Sequence, residues 1–341
     1  VISAESKVQK PYSSKMNFYF LLEDLNDQCP NAVNDQHTMV VFAQGLQALH
    51  IPFCGNRDFL PIYDSSKCLI QKGPLLTDAI LVSTAPHVFE SELAIHPNKL
   101  ILMCTRDEWN AHEFEKFIPR CTYYFRSSYH TSTQNPIVQP FAFALSERIL
   151  KATDDVNMTQ WSKRENTILE AHRVANHSIR NFVKQFYQSG LCPVPITFYN
   201  DQFSEPTEPE ERFLWGQSGR RHNKAYYSKL KQVQLLDAHG GYMHPSKIVQ
   251  VDSWKLWEGF AAGCLIVAPD FKYYGIQMPY ELIGYKHYFP IRYDRLQESY
   301  ALLAKLTVAQ RQTIATEGRD YVRKHYGPEG MANYVLQTLK R

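Results

Sequence analysis

Residues 251–270, VDSWKLWEGFAAGCLIVAPD, constrain the chain more than any other stretch. Ser253, Lys255 and Glu258 open a helix that continues through Gly259, Phe260, Ala261 and Ala262. It stops at Gly263 and feeds an apolar strand at 264–268. The amino end of a helix leaves backbone N–H groups without partners and carries a partial positive charge, so anions settle there. A hydroxyl and an ammonium at that end suit a diphosphate, and a carboxylate one turn further along suits a ribose diol. The alternative is an ordinary core helix capped by Asp252 or Ser253, because both residue types cap well. Lys255 weighs against that alternative. A cation in the first turn opposes the helix dipole, a cost that makes sense if the charge faces a phosphate.

Around this unit, short apolar runs alternate with helix-length segments. Strands are expected at 17–22 (NFYFLL), 51–56, 78–83 (DAILVS), 99–104 (KLILMC) and 122–125, with a helix at 38–49 carrying Val40, Val41, Ala43, Leu46 and Leu49 at helical spacing. Strands separated by helices pair in parallel through right-handed crossovers, which gives a Rossmann-like half. The proline-punctuated stretch 135–143 leads into a helix at 145–153, so the crossing between halves falls at 140–160. A long helix is expected over 166–188, then strands at 196–199 and 212–216, a helix ending near Leu236, and strands at 248–251 and 264–268. Residues 298–341 read as helices.

The 251–270 run resembles the nucleotide-sugar-binding helix of GT-B-fold glycosyltransferases, nearest to the Ser-x-Arg/Lys-x-x-Glu-Ala pattern of exostosin-type and fucosyltransferase-like enzymes. The resemblance is motif-specific over 205–290. It implies an α/β chain of two Rossmann-like domains with a cleft between them and a helical C-terminal tail. The segments would be a polar, disordered or trimmed end at 1–15, an acceptor-side domain at 16–150, a nucleotide-sugar-binding domain at 151–310, and helices at 311–341 crossing back to the first domain. The implied activity is transfer of a sugar from a nucleotide-sugar donor to a glycan or other hydroxyl acceptor, the donor being a substrate with no further cofactor.

Donor contacts are expected from Ser253, Lys255 and Glu258, and from Gly216, Arg220, Arg221 and Asn223 in FLWGQSGRRHNKAYY. Small residues there admit phosphate oxygens and an arginine supplies forked donors, although an ordinary β–α loop with solvated arginines fits as well. Asp270, after the strand, either meets the transferred sugar or closes a turn. Retaining members usually carry a second glutamate eight positions before the ribose-binding one, and Gln250 stands there, which favours inversion. An inverting transfer needs a base for the acceptor hydroxyl. The strand-end residues Glu23, Asp24, His87, Asp107 and Glu108 supply candidates, with Asp24 and Asp107 ranked first, and capping or surface roles are the alternative for each.

Asp-x-Asp, the spacing that holds a divalent cation in GT-A transferases, is absent, as are HExxH, GxxxxGK[ST] and GxSxG. Metal-independent leaving-group stabilisation by Lys255, Arg221 and helix dipoles is therefore expected, with no metal site. A retaining transferase, a sugar-nucleotide epimerase and a non-catalytic donor-binding subunit are the rival readings. The net charge of +3 over 341 residues, without a basic block, gives no indication of nucleic acid. Seven cysteines without C-x-x-C spacing read as free thiols of a cytoplasmic protein. No apolar run approaches the ~20 residues that span a bilayer, which leaves at most peripheral membrane contact.

Overall fold

The computed structural model describes residues 16–22, 37–59, 68–84, 89–95, 97–104, 116–172, 177–199, 224–241, 243–244, 247–248 and 251–341. In chain order these form β1 (Phe18–Leu21), α1 (His37–Ala48), β2 (Phe53–Gly55), β3 (Ile80–Ser83), α2 (Glu90–Ile95), β4 (Leu100–Cys104), β5 (Tyr123–Arg126), β6 (Val138–Pro140) and α3 (Glu147–Ala152). The second half holds β7 (Glu165–Glu170), α4 (Ser178–Gln188), β8 (Ile196–Phe198), α5 (Lys224–Gln232), β9 (Val233–Asp237), β10 (Met243–His244), β11 (Lys247–Ile248), α6 (Trp254–Ala261), β12 (Leu265–Pro269) and β13 (Phe289–Ile291). Three helices close the chain: α7 (Leu296–Lys305), α8 (Val308–His325) and α9 (Pro328–Thr338).

The strands form two parallel sheets, ordered β2-β1-β3-β4-β5-β6 and β13-β12-β9-β7-β8. Strands β1, β3, β4, β9 and β12 are buried along their whole length, because helices cover both faces of a parallel sheet. β1, β4 and β12 are accordingly unbroken apolar runs, whereas β9 also buries Gln234 and Asp237. Two parallel sheets with flanking helices and a helical tail are the two-domain α/β architecture expected from the sequence.

Four local expectations are corrected. Residues 166–188 are not one helix: β7 occupies the start, and helical spacing of Ile179, Val183 and Tyr187 begins only at α4. Ile168 and Leu169 are fully buried between β8 and β9, and that burial overrides the helical character of the window. For the same reason the helix expected to end near Leu236 stops at Gln232, and 233–237 becomes a central strand. The run 135–143 contributes β6, where Pro140 is tolerated because β6 lies at the sheet edge. Finally, Lys247–Ile248 pairs in antiparallel fashion with β10, outside the main sheet.

The turn from α6 to β12 depends on Gly263. Its φ of +72° is left-handed, and a Cβ there would lie 2.4 Å from Met158 Sδ. In the tail, α9 packs on α1 of the first half. Leu145 N–H donates to Tyr326 O at 2.8 Å, and the rings of Phe125 and Tyr334 meet edge-on at 6.1 Å. The tail is also tied to the second half through Trp257, whose ring lies 4.5 Å from that of Tyr326. Among the described residues no helix is long and apolar enough to cross a membrane.

The contact of α1 with α9 is close enough to test. A Cβ on Gly45 would lie 2.1 Å from Pro328 O and 2.6 Å from Ala332 Cβ, so Gly45→Ala must push the helices apart. The overpacking should outweigh the better helix propensity of alanine and cost about 1–3 kcal/mol in chemical denaturation. An unchanged or raised stability would mean that α9 does not dock there.

Candidate functional site

The amino end of α6 sits at the carboxyl edge of the second sheet, where loops of a doubly wound fold line a crevice. Ser253 is its N-cap residue by backbone conformation, with φ −157° and ψ 153°, yet its side chain makes no capping hydrogen bond. The Ser253 hydroxyl has no hydrogen-bond partner among the described residues. Lys255 and Glu258 follow in the first two turns, and both are almost wholly buried, at 1% and 0% exposure. The hydroxyl, ammonium and carboxylate that the sequence placed at one-turn spacing thus belong to the cap and first two turns of α6.

Asp252 fixes where this end lies. It is not the cap; its Oδ1 accepts the Trp257 indole N–H, and its Oδ2 accepts the Phe143 N–H at 2.7 Å. From the first half, Ser128 Oγ accepts the N–H groups of Val251 and Asp252 at 3.0 and 3.2 Å. Burial pushes the Asp252 carboxyl up to about 7, against the opposing pull of the Trp257, Phe143 and Ser253 donors. Beside it, Phe143 and Trp254 pack at 5.4 Å.

Glu258 is oriented by a residue that sequence reasoning quoted but did not use. Tyr227 OH donates to Glu258 Oε1 at 3.0 Å and accepts from Arg148 Nη1 at 3.4 Å. Burial, and then the Glu258 carboxylate, hold the Tyr227 phenol well above its ordinary range, so it remains a donor. The carboxylate is aimed by α5, and through Arg148 it is connected to α3.

The strand ends carry a cluster hidden by reading 166–188 as helix. Glu170 and Asp237 end the adjacent strands β7 and β9, and each is followed two positions later by a histidine, as Glu170-Ala171-His172 and Asp237-Ala238-His239. His172 Nδ1 lies 3.0 Å from Glu170 Oε1 and 3.4 Å from Asp237 Oδ2, and His239 Nε2 contacts Asp237 Oδ1. The His239 N–H donates to His172 Nε2 at 3.2 Å, and the two rings stack. Tyr293 and Tyr300 hydroxyls lie 3.1 and 3.2 Å from His239 Nδ1 and Nε2. Repetition of acid-Ala-His at the ends of two buried strands was the available signal.

Asp270 takes the turn role. Its Oδ1 accepts the Tyr273 N–H at 3.1 Å and its carbonyl accepts the Tyr274 N–H at 2.9 Å. The loop it opens reaches the first half: Thr131 N–H donates to Gly275 O at 2.8 Å, and Gln277 N–H to Tyr129 O at 3.0 Å. A cavity of about 410 Å³ lies there, with Thr131 on one side and Lys272, Gln277, Met278 and Glu281 on the other. The acid/base candidates Glu23, Asp24, His87, Asp107 and Glu108 lie outside the described residues, as do Gly216, Arg220, Arg221, Asn223 and Gln250.

No protein-family model and no curated protein matches the chain. Solved structures do. An alpha-glucosyltransferase in complex with UDP-glucose and DNA containing an abasic site is similar with TM-score 0.54 at 7% identity, over 96% of this chain and 99% of that one. A glycosyltransferase from Rickettsia africae gives 0.51 at 11% identity over 96% and 98%. Anabaena HepE, in complex with UDP and glucose, gives 0.50 at 10% identity over 95% and 99%. At such identities the likeness is one of fold, and the fold is GT-B. None of these three is described as an exostosin or a fucosyltransferase. One of them is described with DNA bound, so the fold gives no support to excluding nucleic acid.

Asp252 makes the seam between the halves sensitive to pH. A carboxyl whose pKa is raised on folding contributes stability that is complete below the unfolded value of 3.8 and is lost as pH rises through about 7. Stability should therefore fall between pH 4 and 8, by on the order of 3–4 kcal/mol from this group. Glu170 is also raised, so the readout is the difference from Asp252→Asn, which should show a shallower pH dependence in urea titrations. Parallel curves for the two proteins would remove Asp252 as the source.

Proposed function

We propose that the protein is a glycosyltransferase that binds a nucleotide-sugar donor on its second half and takes a hydroxyl acceptor, such as a glycan, from the first. The observation that carries this reading is the amino end of α6. A serine hydroxyl left free of capping duty, a buried lysine and a buried glutamate occupy the crevice edge of a GT-B fold. Helix N–H groups, Ser253 and Lys255 would meet the diphosphate and stabilise the leaving nucleotide as the glycosidic bond breaks. Glu258, aimed by Tyr227, would accept hydrogen bonds from the ribose diol. Arg220 or Arg221, with Gly216 and Asn223, would complete the phosphate contacts, and Asp270 would shape the sugar loop through its turn. The finer kinship with exostosin-type and fucosyltransferase-like second domains belongs to this reading.

Incubation with a panel of nucleotide sugars, scored by release of free nucleotide, tests the activity. Lys255→Ala should weaken binding of the accepted nucleoside diphosphate by about 2 kcal/mol in calorimetric titration, the loss of a charge-assisted contact. Unchanged affinity in the folded variant would take Lys255 out of the site.

We infer further that the transfer is inverting and metal-independent, on the strength of Gln250 and the missing Asp-x-Asp. A first-half carboxylate would then remove the acceptor proton. Asp24→Asn or Asp107→Asn should cut turnover roughly 10²–10⁴-fold with nucleotide binding intact, and wild-type activity should survive excess EDTA. A product of retained anomeric configuration by NMR, or activity that EDTA abolishes and manganese restores, would overturn this mechanism.

A further inference from the structure

The seam between the halves holds a cavity of about 410 Å³, a volume within the ~300–1,000 Å³ of small-molecule sites. Its second-half wall comes from the loop after β12, and Thr131 lines it from the first half. Backbone pairing sets its shape. His130 and Ile276 form an antiparallel bridge, flanked by the Thr131 N–H to Gly275 O bond at 2.8 Å and the Gln277 N–H to Tyr129 O bond at 3.0 Å. Gly275, at φ +67°, permits the approach, since a Cβ there would lie 2.9 Å from Thr131 Oγ1. The same first-half loop holds the amino end of α6, because Ser128 Oγ accepts the Val251 and Asp252 N–H groups. One short loop therefore touches both the proposed donor helix and the cavity.

The cavity has an apolar base and a polar rim. Phe271, Ile276, Met278 and Leu282 line it and are buried, none more than 8% exposed. Lys272, Gln277 and Glu281 are exposed and contribute an ammonium, an amide and a carboxylate. None of these three side chains is committed to a hydrogen bond or ion pair among the described residues. Lys272 and Glu281 cancel in charge, so the rim has no surplus with which to draw an anion. A nucleoside diphosphate needs several cationic or helix N–H donors, and a single lysine offset by a glutamate does not supply them. A wholly apolar molecule would leave the rim groups that face it without partners. What fits is a neutral molecule with one apolar face and hydroxyls around its edge, and a pyranose ring is such a molecule.

Resting on the glycosyltransferase reading above, we propose that this cavity is a subsite for a neutral sugar unit of the acceptor glycan, selected by the second-half loop 271–282 and not by the first half alone. The ring's C–H face meets the buried base, and its hydroxyls meet Lys272, Gln277 and Glu281. The backbone pairing of 129–131 with 275–277 forms the subsite before the glycan arrives. Glu281 sets the specificity: by offsetting Lys272 it admits neutral sugars and turns away acidic ones.

An array of neutral and acidic glycans probed with the full chain tests the subsite, followed by calorimetric titration of the glycans that bind. Binding by the wild type should be confined to neutral glycans. Gln277→Ala, at an exposed position, should weaken it by about two- to tenfold, the loss of one hydrogen bond. Glu281→Lys leaves two cations unopposed and should move binding toward acidic glycans, a change that a merely structural Glu281 would not produce. Titration of the same proteins with the panel of nucleotide sugars keeps the two readings apart, and Gln277→Ala should leave that affinity unchanged. If no glycan binds, if the wild type prefers acidic glycans, or if neither variant alters binding, the subsite is overturned, while nucleotide-sugar binding that depends on Lys255 leaves the donor reading standing. Neutral-glycan binding that the variants alter, in a protein that binds no nucleotide sugar, would keep the cavity as a sugar site and overturn the transferase reading.

Discussion

The hydrogen bonds to the Asp252 carboxylate are the constraint on which the rest of the molecule depends. Residues 255–261 of α6 are buried on every side, so the helix cannot adjust its position by sliding over solvent. Where its amino end points is decided by what holds the residue before the cap. Asp252 accepts from Trp257, one turn into the same helix, and from Phe143 of the chain crossing between halves. Ser128, in the loop after β5, takes the two N–H groups on the approach to the helix while holding a φ of +53°. A serine in the left-handed region is uncommon, and this one presents its hydroxyl to two backbone N–H groups of the second half. In this way a first-half loop sets the geometry of a second-half helix end.

That dependence explains why the seam is polar. An apolar seam would bury area without fixing direction, whereas the donors around Asp252 specify an orientation. The same holds at the other contact, where residues 129–131 and 275–277 exchange backbone hydrogen bonds. Gly275, at φ +67°, has no room for a Cβ, which would lie 2.9 Å from His130 Cε1 and Thr131 Oγ1. The loop after β12 is thus pressed against the first half at the position where Asp270 closes its turn.

The sequence made the sheets legible wherever a strand was an unbroken apolar run with a turn signal at each end, as at 80–83, 100–104 and 265–269. The α6 unit was legible because a cap, a helical face and Gly263 agree with one another. Legibility failed at β7 and β9. There the apolar core of the strand is only Ile168-Leu169 or Leu235-Leu236, and the flanking residues are polar and compatible with helix. Only pairing with buried neighbours decides such windows, and pairing is invisible in a single chain read locally. The cost was functional as well as topological, because misplacing the end of β7 hid Glu170 and His172. Tyr227 was missed for another reason: its partner, Glu258, lies 31 positions away.

Buried charge is the feature of this site that stability does not account for. Lys255, Glu258, Glu170 and Asp237 are each at most 5% exposed, and removing an ion from water costs several kcal/mol that its partners seldom return in full. Well-packed apolar residues of similar volume would leave a fold of this kind no less stable, so folding alone gives no reason to keep them. They also lie together, at the carboxyl edge of the second sheet and the amino end of α6, rather than scattered through the core. Charge concentrated where a parallel sheet opens its crevice is what the proposed donor site requires. An incoming diphosphate would meet a lysine already stripped of water and helix N–H groups already oriented, and it would pay little to reorganise them. On the donor reading proposed above, the stability forgone by burying these groups becomes preorganisation for that ligand.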